Sequence, residues 1–479
     1  MAPASRADPG APAKAAKPED EGREAPGGRD VTLQDFVRMA IQRGFSGRRL
    51  KLDLEQARHT RDATLLQSQA PALSANASAG RAEVETNRSV AQTDEGETSL
   101  SISQPLPTAT QLNVTGKLSS TRTKTPTSSQ HDLLDPGWSA TLAQPVFLFI
   151  RNPVLRGRLR ARLGYETAED AHRSTRLGLE AQARSLYYDV LLRRESLEVE
   201  RRKLKSSTTL LDITNELVRA GSLARVETMR SRVRIGRDRR QFKQAVAGLE
   251  KAKQSALSFV NLPPGTPVVF SSRLAFEPFA VEQEALARFA RANRPELRRL
   301  RRARELARMD REDAAEALRP NFDLSARYGS NETSSRVDDL ARNRTLARDW
   351  KLGGALTWRF YDFGISRHRT ILAELGEQAA EVSLAETTRT TELEVQNAYL
   401  DVKTIEEQLL EFGELRAAAR ENVEILRIQF QNGTSRIIDV FDAENEARST
   451  DLEYLNLLVS FYTAQDRLAQ LIGTDLDSL

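Results

Sequence analysis

The chain has 479 residues, enough for two or three ordinary domains, and it contains no cysteine, which excludes disulfides and thiolate metal sites. Its 71 basic residues are balanced by 67 acidic ones, and aromatic residues make up only 6% of the chain. This composition favours extended helices over a thick core, and the absence of a basic stripe with interleaved aromatic residues argues against nucleic-acid binding.

The N-terminal segment, residues 1–30, is rich in alanine, proline, glycine and charged residues, so we expect it to be disordered. It lacks the apolar stretch of a secretory leader. No part of the chain has the ~18 consecutive apolar residues of a membrane-spanning helix. Two interpretations stay open: the protein remains inside the cell, or its leader was removed, replaced or lost through a wrong start.

The chain contains an internal repeat with a spacing of 212 residues, because Ala183–Asn261 aligns without a gap with Val395–Gly473. In this alignment Gly221 falls on Gly433. Such a repeat defines the architecture before any local pattern does. The sequence predicts five segments: a disordered front at 1–30, a first repeat at 31–261, a proline-rich equatorial linker at 262–283, a second repeat at 284–474 and a tail at 475–479.

The first repeat is predicted to begin with helices and then to change to strands. The helical apolar spacing is interrupted by Gly44 and Gly47. Apolar and polar residues then alternate, which indicates strands over about 72–147. Long helices follow over about 154–260, with a glycine-ended turn, the first tip, at 221–223.

The second repeat is predicted to follow the same plan. Helices run to about Leu318, strands cover about 321–361, and long helices cover about 365–472 with the second tip at 433–435. Apolar residues of the long helices recur at the spacing of a coiled-coil seam, as in Val190, Leu197, Leu204, Leu211 and Val218.

The strand region of the first repeat is longer than that of the second. Pro71 and Pro320 precede the two strand regions and lie 249 residues apart, which is 37 more than the repeat spacing of 212. A hairpin that turns at residues 105–108, Pro-Leu-Pro-Thr, would account for the difference.

The predicted strands have one apolar face, which fits either a soluble sheet or a membrane wall, because alternation is a weak signal. The tryptophans Trp138, Trp350 and Trp358 lie in or beside these strands, as expected of aromatic girdles. Two or three hairpins cannot close a barrel, and an open sheet edge cannot lie in lipid. Strands that span a membrane must therefore be pooled by several copies. The alternative is a soluble coiled-coil scaffold or adaptor protein without a membrane barrel.

Three motifs of the sequence resemble those of one known family. Residues 433–443, Gly-Thr-Ser-Arg-Ile-Ile-Asp-Val-Phe-Asp-Ala, are similar to the periplasmic-tip motif of that family. Residues 293–297, Asn-Arg-Pro-Glu-Leu, resemble its Asn-Pro-Glu-Leu motif with one inserted arginine. Gln104–Pro105–Leu106 and Gln144–Pro145–Val146 resemble its Gln-Pro-Leu junction at the base of the barrel. The family that these motifs resemble is that of the TolC-like outer-membrane efflux channels, and the resemblance covers about Val31–Thr474.

The resemblance implies an α+β, mainly α fold with two structural repeats. Long antiparallel coiled coils would form a periplasmic α-barrel, and the membrane strands of a homotrimer would be pooled into one β-barrel. The family usually contributes four strands per protomer, or twelve per trimer. Because the Gln-Pro junction is duplicated here, six strands per protomer and eighteen per trimer are a hypothesis. The alternative is an extra hairpin that folds over the mouth.

The resemblance also implies a function and partners. The protein would be an exit duct in the outer membrane of a Gram-negative bacterium, with its helical tunnel in the periplasm. It would passively pass small molecules or polypeptides in tripartite efflux or type I secretion. Its partners would be outer-membrane lipid, a periplasmic adaptor and an inner-membrane transporter of the RND, ABC or MFS class.

Candidate site residues follow from the same resemblance. Asp439 and Asp442 correspond to carboxylates that ring the closed periplasmic aperture, and acids that complement the helix dipole are the alternative. Glu227 and Arg230 take the matching positions of the first tip, where a salt link between the repeats is conceivable. Adaptor contacts are implied for Gly221, Ser222, Leu223, Gly433, Thr434 and Ser435, and simple helix termination at the glycines is an alternative that is compatible with them. Independently of the resemblance, the aromatic residues in and beside the strands predict a membrane girdle at Trp138, Phe147, Phe149, Trp358, Phe360 and Tyr361, and capping of a soluble core is the alternative.

The sequence predicts no catalytic, cofactor or metal site. Its four histidines are scattered without a helical pair for zinc. A phosphate-binding loop, a dinucleotide fingerprint and a nucleophile elbow are all missing. We therefore do not expect an enzyme, and the energy for export would come from the partner pump.

Overall fold

The computed structural model describes residues 29–86, 89–125, 128–129, 133–146, 152–332 and 346–474. The chain divides into two compact units. The helical unit comprises Met1–Lys51, Arg173–Arg294 and Arg389–Leu479, and the sheet unit comprises Leu52–His172 and Pro295–Thr388. The predicted disorder of residues 1–28, the tail at 475–479 and two predicted girdle residues, Phe147 and Phe149, lie outside the described residues.

The described residues form eight helices: α1 (Leu33–Arg43), α2 (Phe45–Gln67), α3 (Pro153–Arg219), α4 (Arg225–Phe259), α5 (Gln283–Asn293), α6 (Pro295–Glu316), α7 (Ile365–Gln431) and α8 (Ile437–Ile472). The repeat is visible in their bounds. Both α3 and α7 have 67 residues and begin 212 positions apart, and α4 and α8 also begin 212 positions apart. None of the described helices contains a sufficiently apolar stretch of membrane-spanning length.

The described residues also form nine strands: β1 (Arg29–Val31), β2 (Ala72–Thr86), β3 (Ser89–Pro105), β4 (Gln111–Thr125), β5 (Ser128–Ser129), β6 (Leu133–Val146), β7 (Val268–Phe270), β8 (Asn321–Glu332) and β9 (Leu346–Thr357).

The two glycines near the start of the first repeat lie in different secondary-structure contexts. Gly44 separates α1 from α2, as predicted. Gly47 lies within α2, so the break predicted there is wrong. A Cβ at Gly47 would collide with the backbone carbonyl of Ile41. The glycine therefore permits a close approach of two backbone segments.

Strand β1 pairs in parallel with β7, which lies in the proline-rich linker. The predicted N-terminal disorder is therefore wrong for its last two residues, and the linker contains a strand. The reason is burial that local composition does not reveal. Val31 and Phe270 are each 1% exposed, and the hydroxyl of Tyr187 donates a hydrogen bond to the carbonyl of Val31 at 2.9 Å.

The coiled-coil seam forms the core of the helical unit. Leu197 and its repeat equivalent Leu409 are both 2% exposed and belong to two separate hydrophobic clusters. The next seam position is Leu204 in the first repeat and Arg416 in the second. Arg416 is accommodated because its Nε lies 2.5 Å from a carboxylate oxygen of Asp451 on α8. The two repeats thus fill one seam position by different chemistry.

The sheet unit contains one antiparallel sheet in the order β2-β3-β4-β6-β8-β9, and the short strand β5 pairs with β4. The predicted extra hairpin is present, because β3 pairs with β4 from Gln92 opposite Lys124 to Pro105 opposite Gln111. The strands of the second repeat end at Thr357, earlier than predicted. The chain leaves the ladder there, and Trp358 donates from its indole nitrogen to the carbonyl of Leu318 at 3.0 Å.

The two faces of this sheet differ in polarity. Successive side chains of a strand point to opposite faces, so residues in register form rows across the sheet. We call one set the apolar row: Leu73, Ile102, Val114, Ala140, Tyr328 and Trp350. We call a set on the opposite face the polar row: Ser74, Ser101, Thr115, Ser139, Gly329 and Asp349.

Ion pairs join the helices of the sheet unit. Arg156 of α3 lies 2.6 Å from Glu312 of α6, and Arg298 of α6 lies 3.1 Å from Asp170 of α3. Because Asp170 is 5% exposed, removal of its partners would leave a buried charge unpaired, which is costly. These pairs therefore fix the helix register where apolar packing is thin.

The contacts of Tyr187 predict an asymmetry between the repeats. Its hydroxyl bonds to the carbonyl of Val31 and lies 2.8 Å from the hydroxyl oxygen of Ser272. The hydroxyl of its equivalent, Tyr399, makes no hydrogen bond to the described residues. Tyr187→Phe is expected to lower the free energy of unfolding by about 1–2 kcal/mol, because phenylalanine cannot make the buried hydrogen bonds of the Tyr187 hydroxyl. Tyr399→Phe is the control and should change it by less than about 0.5 kcal/mol. Denaturant unfolding in detergent measures both, and equal effects would contradict the assignment.

Candidate functional site

The first tip turn joins α3 to α4 through Gly221. Its φ of 80° lies in the left-handed region that favours glycine, and the space where a Cβ would stand is open. The amide of Ser222 donates to the carbonyl of Leu217 at 2.9 Å, which satisfies an acceptor at the helix end. Ser222 is exposed and Leu223 is half-buried.

The second tip turn repeats this geometry between α7 and α8. Gly433 has a φ of 74°, and the amide of Thr434 donates to the carbonyl of Gln429 at 2.9 Å. The hydroxyl of Thr434 donates to the same carbonyl at 2.9 Å. The hydroxyl of Ser435 donates to the carbonyl of Leu426 at 3.2 Å. The second turn therefore carries two side-chain bonds in addition to the shared backbone geometry.

A hydrophobic cluster packs beside the two tips. Its buried members come from three of the long helices: Leu210, Phe430, Ile437, Val440 and Phe441. Leu223 of the first turn is partly buried against the cluster. Helices of both repeats thus share one apolar core next to the turns. The sequence analysis did not predict this cluster, although the adjacent apolar pair at 440–441 in the tip motif was a usable signal.

Asp439 is engaged at the start of α8. Its carboxylate accepts a hydrogen bond from the backbone amide of Arg436 at 3.1 Å. It also accepts from the Arg436 side chain, whose Nη2 lies 3.1 Å away. The Arg436 guanidinium holds the pKa of the Asp439 carboxyl below its usual range. The helix-start role that the sequence left open is therefore present at Asp439.

Asp442 differs from Asp439. It lies one helical turn further along α8 and is exposed. Its carboxylate makes no ion pair or hydrogen bond with any other part of the chain that the structure describes. Asp442 therefore presents a negative charge that no neighbouring arginine offsets.

The matching positions of the first tip carry a pair of opposite charges. Arg230 lies 2.8 Å from Glu227 of the same helix. Among the described residues, this arginine pairs inside its own helix and with no residue of the second repeat. The second oxygen of Glu227 is buried without a hydrogen bond in the described structure. The first tip is therefore locally neutral at these two positions.

A link between the repeats occurs at a residue that the sequence analysis did not single out. Arg234 of α4 donates to the side-chain oxygen of Asn445 on α8 at 2.7 Å. Its guanidinium also lies 5.1 Å from the ring centre of Phe441, within the range of a cation–π contact. On sequence alone, Arg234 is one of many arginines on a helix, so only the structure distinguishes it.

The predicted girdle residues that the structure describes fall into two groups. Trp138 packs edge-on against Tyr328 at 5.5 Å on the apolar face of the sheet. Trp358, Phe360 and Tyr361 follow the end of β9 and are all more than half exposed. Trp350, in the apolar row, precedes Trp358 by eight positions, or about 27 Å of extended chain. The described residues contain no cluster of three or more potential metal ligands.

Comparison with known proteins shows which of them this chain resembles. Residues 286–474 match the family model of the outer membrane efflux protein. The chain is similar to the outer membrane protein VceC of Vibrio cholerae, with 14% identity, a TM-score of 0.68 and coverage of 92% of this chain and 96% of that chain. It is similar to the open state of the MtrE outer membrane channel of Neisseria gonorrhoeae, with 18% identity, a TM-score of 0.68 and coverage of 93% and 89%. For the Campylobacter jejuni CmeC outer membrane channel the identity is 15%, the TM-score 0.67 and the coverage 92% and 85%. No curated protein sequence matches the chain.

The fold is therefore the mainly helical, two-repeat fold of TolC-like outer-membrane channels, as the sequence predicted. The match to the family model of the outer membrane efflux protein covers residues 286–474, which lie in the second repeat.

The tip geometry predicts opposite effects of alanine at two glycines of the second repeat. Gly433→Ala should destabilise the protein by about 1 kcal/mol, because alanine strains the left-handed backbone. Gly413→Ala, in the middle of α7 with open space around it, should stabilise it by about 0.5–1 kcal/mol through helix propensity. Thermal unfolding in detergent compares the two variants. The same sign for both would contradict the assigned turn.

Proposed function

We propose that this protein is the outer-membrane exit duct of a tripartite efflux pump or a type I secretion system. The observation that carries the proposal is the sheet, which exposes an apolar face and has two edge strands, β2 and β9, each paired on one side only in the described structure. In water such a surface promotes aggregation. In a membrane the apolar face suits lipid, and pairing between copies satisfies the edges.

The helical unit supplies a docking end for such a duct. Its two tips expose short polar turns, Ser222 in the first and Thr434 in the second, above a shared apolar cluster. We propose that a periplasmic adaptor binds these turns in a homotrimer and connects the duct to an inner-membrane RND, ABC or MFS transporter. Transport through the duct is passive, because the sequence contains no nucleotide-binding loop.

The same proposal assigns an electrostatic role to the second tip. In a trimer, Asp442 and Asp439 become rings of three carboxylates at the periplasmic aperture. Such rings favour cations and oppose anions. Asp442 is the stronger contributor, because the carboxylate of Asp439 is already paired with Arg436.

Membrane fractionation tests the proposed location and assembly. The full chain, produced behind a secretory leader in a Gram-negative host, is expected in the outer membrane, from which detergent should extract a trimer that conducts ions in planar bilayers. A folded, monodisperse monomer in buffer without detergent would contradict the proposal and would support the soluble coiled-coil scaffold instead.

Charge substitution tests the aperture. A carboxylate about 4 Å from an ion contributes about 1 kcal/mol in water, so Asp442→Asn should lower the cation-to-anion permeability ratio by about fivefold. Asp439→Asn should change the ratio less, and Asp442→Glu should preserve it. Reversal potentials in a salt gradient across planar bilayers give the ratio. An unchanged ratio in Asp442→Asn would remove this residue from the aperture.

A further inference from the structure

We infer that the β3–β4 hairpin is a permanent part of the lipid-facing wall, so that each copy supplies six strands and three copies close an eighteen-stranded barrel. In this barrel, β9 of one copy pairs with β2 of the next. The inference rests on the proposed function, which requires a membrane wall but leaves the number of strands open.

The hairpin accounts for the length difference between the repeats. Strands β3 and β4 with their turn occupy residues 89–125, a length equal to the 37-residue excess of the first repeat. Without them, β2 and β6 would remain as the counterparts of β8 and β9. The insertion is therefore one complete hairpin, which adds two strands without changing the direction of the chain that follows.

The lipid-facing surface continues across this hairpin without a break. The apolar row passes through Ile102 of β3 and Val114 of β4, and both side chains are exposed. The polar row passes through Ser101 and Thr115 on the opposite face. A hairpin folded over a water-filled mouth would not need to match the polarity of its neighbours strand by strand. A hairpin in the wall must match it.

The turn of the hairpin is tied to the end of the sheet next to the helices. The side chain of Gln104 donates to the carbonyl of Gln69, two residues after the end of α2, at 2.5 Å. The side chain of Asn152, which precedes α3, donates to the carbonyl of Pro107 at 3.1 Å. Thr110 is buried and donates to the side chain of Gln144. The turn thus lies at the base of the sheet.

The two Gln-Pro junctions also share one local geometry. Gln104 donates from its side chain to the carbonyl of Pro105 at 2.9 Å, and Gln144 donates to the carbonyl of Pro145 at 2.7 Å. The duplicated sequence motif therefore has a duplicated structure. Both strands, β3 and β6, end at the base of the wall in the same way, which supports their equivalence.

The edges of the sheet identify the second copy as the partner. Leu73 on β2 and Leu352 on β9 are 69% and 73% exposed, whereas Leu112 on the central strand β4 is 37% exposed. Within the described residues, each of these edge strands has a neighbouring strand on one side only. Because the number of strands is even and all are antiparallel, β9 runs opposite to β2 of an adjacent copy, and their pairing continues the ladder. The smallest membrane barrels have about eight strands, so one copy cannot close alone.

A barrel of eighteen strands is about 1.5-fold wider than one of twelve, because diameter grows roughly linearly with strand number. Porins with about 16–18 strands enclose an aqueous channel. The hairpin thus widens the outer-membrane part of the duct while the number of helices per copy stays the same.

Cysteine cross-linking in the outer membrane tests the inference. The chain has no native cysteine, so only the introduced cysteines can form disulfides. The pair Thr115→Cys/Ser139→Cys, opposite each other on β4 and β6, should form a disulfide within one chain. The pair Asn76→Cys/Ser139→Cys should form none, because β3 and β4 separate these strands. Peptide mapping by mass spectrometry identifies each bond. The reverse pattern would mean that β2 adjoins β6 and would overturn the inference.

The contact between copies has its own test. Leu352→Cys on β9, combined in turn with Leu73→Cys, Ala75→Cys and Ala77→Cys on β2, places both thiols on the apolar face. At least one pair should give covalent dimers and trimers on a denaturing gel. Lys351→Cys with the same β2 set is the control, because its side chain points to the opposite face, and it should give none. Covalent products that stop at dimers, or equal products on the gel for both sets of cysteine pairs, would overturn the eighteen-stranded closure.

Deletion of residues 89–125 gives a third measurement. The shortened trimer should have a barrel about two-thirds as wide as that of the full chain in particle images. If the width is unchanged, the hairpin is not in the wall. A channel-forming trimer that lacks the β4–β6 disulfide would contradict only this inference. A chain that never reaches the membrane would contradict the proposed function as well.

Discussion

The constraint on which this structure depends is the need of every backbone amide and carbonyl for a hydrogen-bond partner where water is absent. Six strands satisfy one another along the sheet, but the outer edges of β2 and β9 have no partner among the described residues. Helices satisfy their own backbone, so the long coiled coils impose no such demand. If the sheet forms the proposed membrane wall, this minor part of the chain requires that copies assemble, and the helices then follow the symmetry of the sheet.

Duplication gave the two repeats the same frame and left their details free to diverge. The long helices begin 212 positions apart in both pairs, and both tips turn on a left-handed glycine. The differences lie at single positions within this frame. Leu204 corresponds to Arg416, which is tolerated because α8 supplies Asp451. Tyr187 is bonded to the short parallel strand pair, whereas Tyr399 is not. The inserted hairpin is the largest divergence.

Sequence patterns predicted those features that local physics controls. Glycine in a left-handed turn, proline before a strand and alternation of apolar residues each act over a few positions, so the tips, the hairpin and the polar face were predictable. Features that depend on contacts between residues far apart in the sequence were not predictable from these patterns. The pairing of β1 with β7 joins residues far apart in sequence. Arg234 has no local mark, because its contacts with Phe441 and Asn445 exist only after α4 packs against α8. The sequence also did not decide whether Asp439 is a helix cap or a gate residue.

Charge pairing at the tips resolves part of that ambiguity. Asp439 is offset by Arg436, and Glu227 is offset by Arg230. Of the four predicted aperture residues, only Asp442 carries a charge without an opposing partner in the described structure. A cap and a selectivity ring make opposite demands on a carboxylate, since the cap needs it bonded and the ring needs it available to passing ions. In the proposed duct, Asp439 serves the cap and Asp442 serves the ring, so α8 begins with a stable turn and still presents one negative charge per copy. In the proposed homotrimer, this single uncompensated residue would supply the charge of the whole aperture.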